Sequence, residues 1–193
     1  MYIFNQFQSS AKKLKDVRYL ALIALFIALK IISGRFFHIS VAKNLSVGFT
    51  FIFVAVEAAI IGPTAGVLSA VVTDLLGFAI FPKGIFFPGY ILTAILGNFF
   101  YSFFFYDKKI NIRSIILAKL CNNIITNMFI GSLWTSILYT KKTYWAYFIV
   151  SAVKNSLLLP IEIMLLILVF NALLPILNQR HLIEQTYTLP LKF

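Results

Sequence analysis

Long apolar segments recur along the whole chain, and a soluble core of this size could not hide them. The 193 residues are 61% hydrophobic and 12% charged, with a mean hydropathy of +0.92. About 20 apolar residues are what a helix needs to cross a bilayer, so the chain reads as a polytopic membrane protein. The expected fold is all-α and integral to the membrane, with six transmembrane helices. They fall at roughly 17–37, 46–61, 64–81, 88–106, 112–138 and 145–177. The remainder is short: an interfacial lead-in over 1–16 and a tail over 178–193. That leaves a single membrane domain, 1–193, with no room for a separate soluble one.

Gly62 and Pro63 separate the second and third spans and force an antiparallel hairpin. Orientation follows from Lys and Arg counting. With the N-terminus inside, Lys12, Lys13, Lys15, Arg18, Lys108, Lys109, Arg113, Arg180 and Lys192 are cytoplasmic, whereas Arg35, Lys43, Lys83, Lys141 and Lys142 are external. Nine against five places both termini in the cytoplasm. The formal charge of +11 is spread over helix flanks rather than gathered on one face, which argues against a nucleic-acid partner.

Several chemistries are missing from the sequence. It contains no G-x-x-x-x-G-K-[ST] loop for nucleotide and no H-E-x-x-H for zinc. His38 and His181 lie at opposite ends and on opposite expected sides, so no Ser/His/Asp arrangement is plausible. The single cysteine, Cys121, excludes a disulfide framework and reads as small apolar filler. The expectation is a protein that is not an enzyme and binds no metal or cofactor.

The stretch "DLLGFAIFPKGIFFPGY", residues 74–90, breaks an apolar run with a carboxylate, a lysine and two prolines. Pro82 and Gly84 let the chain turn outside, and Pro88 restarts the next helix. Lys83 and the Phe86–Phe87 pair then hang over whatever cavity lies below. Arg35, Lys43 and Lys83 fall in the first and third external connections together with Phe36, Phe37, Phe86 and Phe87. Basic charge beside aromatic rings suits an anionic, ring-containing ligand, though ordinary interfacial anchors have the same composition.

Within the spans lie Lys30, Glu57, Asp74, Lys154 and Glu162. A central charge costs roughly 2.5–3.5 kcal/mol on insertion scales unless it is paired or faces a cavity. Two readings of Asp74 stay open: an ion pair with Lys30 or Lys154, or a ligand contact at a cavity floor. Asn123 and Asn127, at i and i+4, share a helical face with Thr126 beside them, and Trp134 extends the stripe outward. These asparagines serve either as interhelical glue or as pocket lining. Ala24 and Ala28 have the small-xxx-small spacing that lets another helix approach closely.

These segments together resemble the folate-specific S components of energy-coupling factor (ECF) transporters. The Asp-Leu-Leu-Gly run leading into the Phe-Pro-x-Gly-x-Phe-Phe-Pro-Gly loop carries the resemblance. "LSVGFTFIFVAVEAAIIGPTAGVLSAVVT", "SLWTSILY" and "KNSLLLPIEIMLL" extend it over about residues 17–170, and "ALFIA" is similar to the A-x-x-x-A motif of S components generally. In one departure, Ser151 stands where many folate-type members carry a second basic residue a turn before Lys154, a role Arg35 or Lys43 would have to assume.

The resemblance implies a multi-pass subunit of the bacterial cell membrane that captures folate under external loops 1 and 3. It also implies a transmembrane scaffold subunit, with Ala24 and Ala28 facing it, and two ATPase subunits that hydrolyse ATP. The implied substrate residues are Arg35, Phe36, Lys43, Asp74, Lys83, Gly84, Phe86, Phe87, Asn98, Asn127, Trp134 and Lys154. Asp74 would accept from the pterin edge, or one of Asn98, Asn123 and Asn127 would read it instead. The aromatics would stack on the rings, and the basic mouth would hold the glutamate tail. The alternatives are another vitamin (riboflavin, thiamine or pantothenate), or a different class altogether: an autonomous secondary transporter or an intramembrane enzyme using Asp74, Glu57 and Lys154.

Overall fold

The computed structural model describes residues 2–42, 45–82, 86–139, 141, 143–183 and 191. Its helices are α1 (Tyr2–Lys13), α2 (Val17–Phe36), α3 (Thr50–Ile80), α4 (Gly89–Phe105), α5 (Ile112–Cys121), α6 (Gly131–Leu138) and α7 (Tyr144–Gln179). Between α5 and α6, Asn122–Ile130 winds as a π-helix, so 112–138 is one continuous apolar rod. Among the described residues, four helical stretches are long and apolar enough to cross a membrane, and α4 is a shorter apolar helix.

The break at Gly62 was legible, and its geometry explains the residue. Gly62 has φ +79°, a backbone that side chains resist, and a Cβ there would collide with the Tyr106 ring. The two halves of α3 fold back side by side, and Ser69 donates across the gap to Glu57 Oε1. Gly66 lets α4 come close, because a Cβ there would meet the Asn98 side chain.

Helix α1 is more than an interfacial lead-in. A broken helix leaves carbonyl and N–H groups without partners, and α1 supplies them. Ser10, fully buried, donates to Ile61 O at 2.7 Å and accepts from the Ala65 N–H at 3.0 Å. Lys13 donates to Ile60 O, and Thr64 donates to Phe7 O at 2.8 Å. Gln6 reaches Tyr106 O at 2.6 Å, tying α1 to the end of α4.

The second span starts later than the sequence indicated. Residues 45–48 pair as β2 (Leu45–Gly48) with β1 (His38–Ala42) in an antiparallel hairpin, and helix begins only at Thr50. The apolar run "LSVGFTF" continues smoothly into the helix, so hydropathy does not mark the junction. Strand pairing with His38–Ala42, just upstream, decides it.

Helix α7 buries one stripe at helical spacing, Leu158, Glu162, Leu166, Phe170, Leu174 and Leu177, and leaves Leu157, Ile161, Met164 and Leu168 exposed. Apolar residues on the outer face are what lipid contact requires. The tight core gathers at one end, around Ala55–Ile61, Tyr101, Phe105, Ile115 and Phe170. At the opposite end the helices part. Cys121, the last residue of α5, is half-buried rather than the buried filler expected.

Candidate functional site

Two cavities occupy the open end. The first, about 470 Å³, lies between α2, α3, α4 and the start of the π segment. The second, about 570 Å³, lies between the π segment, α6 and α7. They share Tyr90, Thr93, Thr126 and Asn127 as a common wall. Both volumes fall in the range of small-molecule sites.

Two Lys–Glu pairs anchor the polar lining. Lys30 Nζ lies 2.6 Å from Glu57 Oε2 and 2.9 Å from Ser69 Oγ. Asn98 Nδ2 approaches the same carboxylate at 3.4 Å, while its Oδ1 accepts from Ser102 at 3.1 Å. Across the cavity, Lys119 Nζ lies 3.1 Å from Glu162 Oε2 and sits 4.0 Å over the Phe51 ring. Asn123 Nδ2 donates to Glu162 at 3.2 Å, and Asn127 Nδ2 donates to Asn123 Oδ1 at 2.9 Å. Each pair neutralises charges that would otherwise be costly in the membrane; the first approaches Asn98 in the wall, and the second reaches the wall residue Asn127 through Asn123.

Asp74 takes part in neither pair. The expected bond to Lys30 is not made, because Glu57, directly across the α3 hairpin, claims that lysine. Lys154 lines the second cavity, and no ion pair joins it to Asp74. Asp74 stands in the wall of the first cavity with no hydrogen bond or ion pair among the described residues. Arg35 lines the same cavity, its guanidinium 5.2 Å from the Phe81 ring centre.

An aromatic partition closes the space between the cavities. The Phe87 ring meets Trp134 edge-on at 5.3 Å and Tyr90 at 5.6 Å, and Trp134 Nε1 donates to Thr93 at 2.9 Å. Phe86 turns back on Phe78, ring centres 5.1 Å apart.

Of the residues expected at the site, Arg35, Asp74, Phe86, Phe87, Asn98 and Asn127 line the first cavity. Asn127, Trp134 and Lys154 line the second. Phe36 lines neither; it is exposed and packs edge-on against Phe81 at 6.0 Å. Lys43, Lys83 and Gly84 lie outside the described residues. Ala24 and Ala28 are on the exposed face of α2, beside Leu20, Leu25 and Ile32. Sequence reasoning missed Lys119, a lone lysine in the apolar run "IILAKLC". Counting it with the other intramembrane charges would have found a partner for Glu162.

A family model described as "ECF transporter, substrate-specific component" matches residues 18–176. The chain belongs to that family. As a substrate-specific component it is a multi-pass membrane transport subunit and not an enzyme. It is similar to the folate transporter FolT of Clostridium novyi (strain NT), 34% identical over 149 residues, 77% of this chain and 86% of that protein. The folate transporter FolT of Leuconostoc mesenteroides subsp. mesenteroides is 29% identical over 155 residues, 77% of this chain and 82% of that protein. A crystal structure of FolT bound with folic acid superposes with a TM-score of 0.69 at 30% identity, over 77% of this chain and 88% of that one.

Proposed function

We propose that this chain captures folate from outside the cell for an ATP-driven ECF importer. The observation that carries the reading is Asp74, a carboxylate with no described protein partner in the wall of a 470 Å³ cavity. Folate's pterin ring presents an N–H and an amino group side by side, a donor pair that a carboxylate accepts in bidentate fashion. The FolT relatives and the folic-acid-bound structure support the same ligand.

The other roles follow from position. Phe87 and Trp134 offer faces on which the ligand rings stack. Arg35, together with Lys43, Lys83 and Gly84 in the external connections, forms the mouth that steers and holds the dianionic glutamate tail. Phe86 supports that loop, Asn98 and Asn127 line the polar wall, and Lys154 adds an ammonium in the second cavity. Phe36, exposed and lining neither cavity, is assigned an anchoring rather than a binding role.

The chain works as one membrane domain of six spans with both termini cytoplasmic, in a bacterial cell membrane. Ala24 and Ala28 sit on an unburied helix face, where a scaffold subunit can approach closely. Two ATPase subunits bind and hydrolyse the ATP. This chain itself carries no cofactor and contacts lipid rather than nucleic acid.

Tryptophan-fluorescence titration of the detergent-purified chain against folate, riboflavin, thiamine and pantothenate tests the reading. Saturable quenching by folate alone is expected. A saturable response to another vitamin with none to folate would redirect the ligand. Uptake by the chain alone in vesicles would show an autonomous carrier instead.

A further inference from the structure

Glu162 fixes the direction of a chain of hydrogen bonds. A carboxylate paired with an ammonium accepts hydrogen bonds and has none to give. Its Oε2 receives Lys119 Nζ at 3.1 Å and Asn123 Nδ2 at 3.2 Å. Asn123 is thereby oriented with its amino group toward Glu162 and its carbonyl oxygen away. That oxygen receives Asn127 Nδ2 at 2.9 Å. The remaining atom of the relay is Asn127 Oδ1, which has no protein partner among the described residues, and Asn127 lines both cavities.

An isolated asparagine can turn its amide over and offer either a donor or an acceptor. Here a flip of Asn127 sets two carbonyl oxygens against each other, and a flip of Asn123 sets its oxygen against Glu162. In a buried site of low dielectric such clashes are costly, and the links of the chain reinforce one another. Asn123 is 1% exposed and Lys119 2%, so water does not substitute for the lost partners.

We infer that Glu162 and Asn123 are positioning residues: they hold Asn127 with its carbonyl oxygen toward the cavity, so the wall selects a ligand edge that carries hydrogen-bond donors. Asp74 presents a second acceptor to the first cavity. The inference rests on the folate reading in taking that edge to be the amino and N–H groups of the pterin.

The test compares folate with its 2-deamino-2-oxo counterpart, in which an acceptor replaces the amino donor. The double variant Lys119→Met with Glu162→Gln removes both charges together. It also lets the new amide donate to Asn123, so the relay can run in reverse and present Asn127 Nδ2 instead. Asn123→Leu cuts the relay with no charge left unpaired. Wild type should prefer folate, and both variants should narrow the folate-to-analogue affinity ratio about 10-fold, the value of one well-made hydrogen bond. A purely structural role would lower thermal stability and weaken both ligands equally. An unchanged ratio in both variants, whatever happens to stability, overturns the inference. Wild type that binds neither compound overturns the folate reading, and the assigned edge with it.

Discussion

Lys30 Nζ and Glu57 Oε2 meet at 2.6 Å where the two side chains are 3% and 0% exposed. The pair joins α2 to the first half of α3, and Ser69 ties it to the second half. Removing one partner leaves a buried charge uncompensated, at a cost of about 3–5 kcal/mol. Lys30→Met or Glu57→Gln should each lower the thermal midpoint in detergent sharply. The double variant should recover most of that loss, since no lone charge remains. A double variant as unstable as its parents would mean that the pair contributes through packing rather than charge.

Asp74 has the opposite relation to its surroundings. It has no described partner to lose, so Asp74→Asn should leave the stability of the ligand-free protein nearly unchanged. Folate affinity should fall about 10- to 100-fold, the range for hydrogen bonds to a charged group. Calorimetric titration beside a melting curve separates the two. Lowered stability with unchanged affinity would make Asp74 a structural residue.

The chain has two tryptophans, and they occupy different places. Trp134 packs on Phe87 in the partition between the cavities, whereas Trp145 is 62% exposed at the start of α7. Ligand quenching should survive Trp145→Phe and be lost in Trp134→Phe. Quenching that follows Trp145 would place the ligand away from both cavities.

The helices and the break between the halves of α3 were readable because apolar length and a Gly–Pro pair are local properties. The partnership of the charges was not. Lys30 and Glu57 are 27 residues apart, and periodicity places each on a helix face without saying which faces meet. The same holds for Ser10, whose partners at Ile61 and Ala65 lie more than 50 residues along the chain. Lys119 was hidden by its apolar neighbours, and the β1–β2 pairing by an apolar run that suits helix equally well. Asp74 stood out because a carboxylate is unusual in an apolar run whatever it touches, and Pro82 and Pro88 because a plain span needs neither.

Ser10→Ala should weaken the molecule from its closed end. The change leaves Ile61 O and the Ala65 N–H without partners in a fully buried site, at about 1–3 kcal/mol for each unmet group. The thermal midpoint should fall, while folate affinity measured well below it should hold, since α1 contributes no residue to either cavity. A loss of affinity at low temperature would mean that the closed end and the cavity are coupled.

The π-wound stretch Asn122–Ile130 makes this part of the chain sensitive to its winding. An α-helix turns about 100° per residue and a π-helix, bonded i→i+5, turns less, so winding the same nine residues at the ordinary pitch would rotate everything downstream. Trp134 would swing off Phe87 and away from Thr93, while Asn123 kept its grip on Glu162. Substitutions on the lipid side of this segment that keep its winding should be absorbed easily, but a return to α winding at the same length should not. The nine-residue stretch sets the angular offset between the polar relay and the aromatic partition.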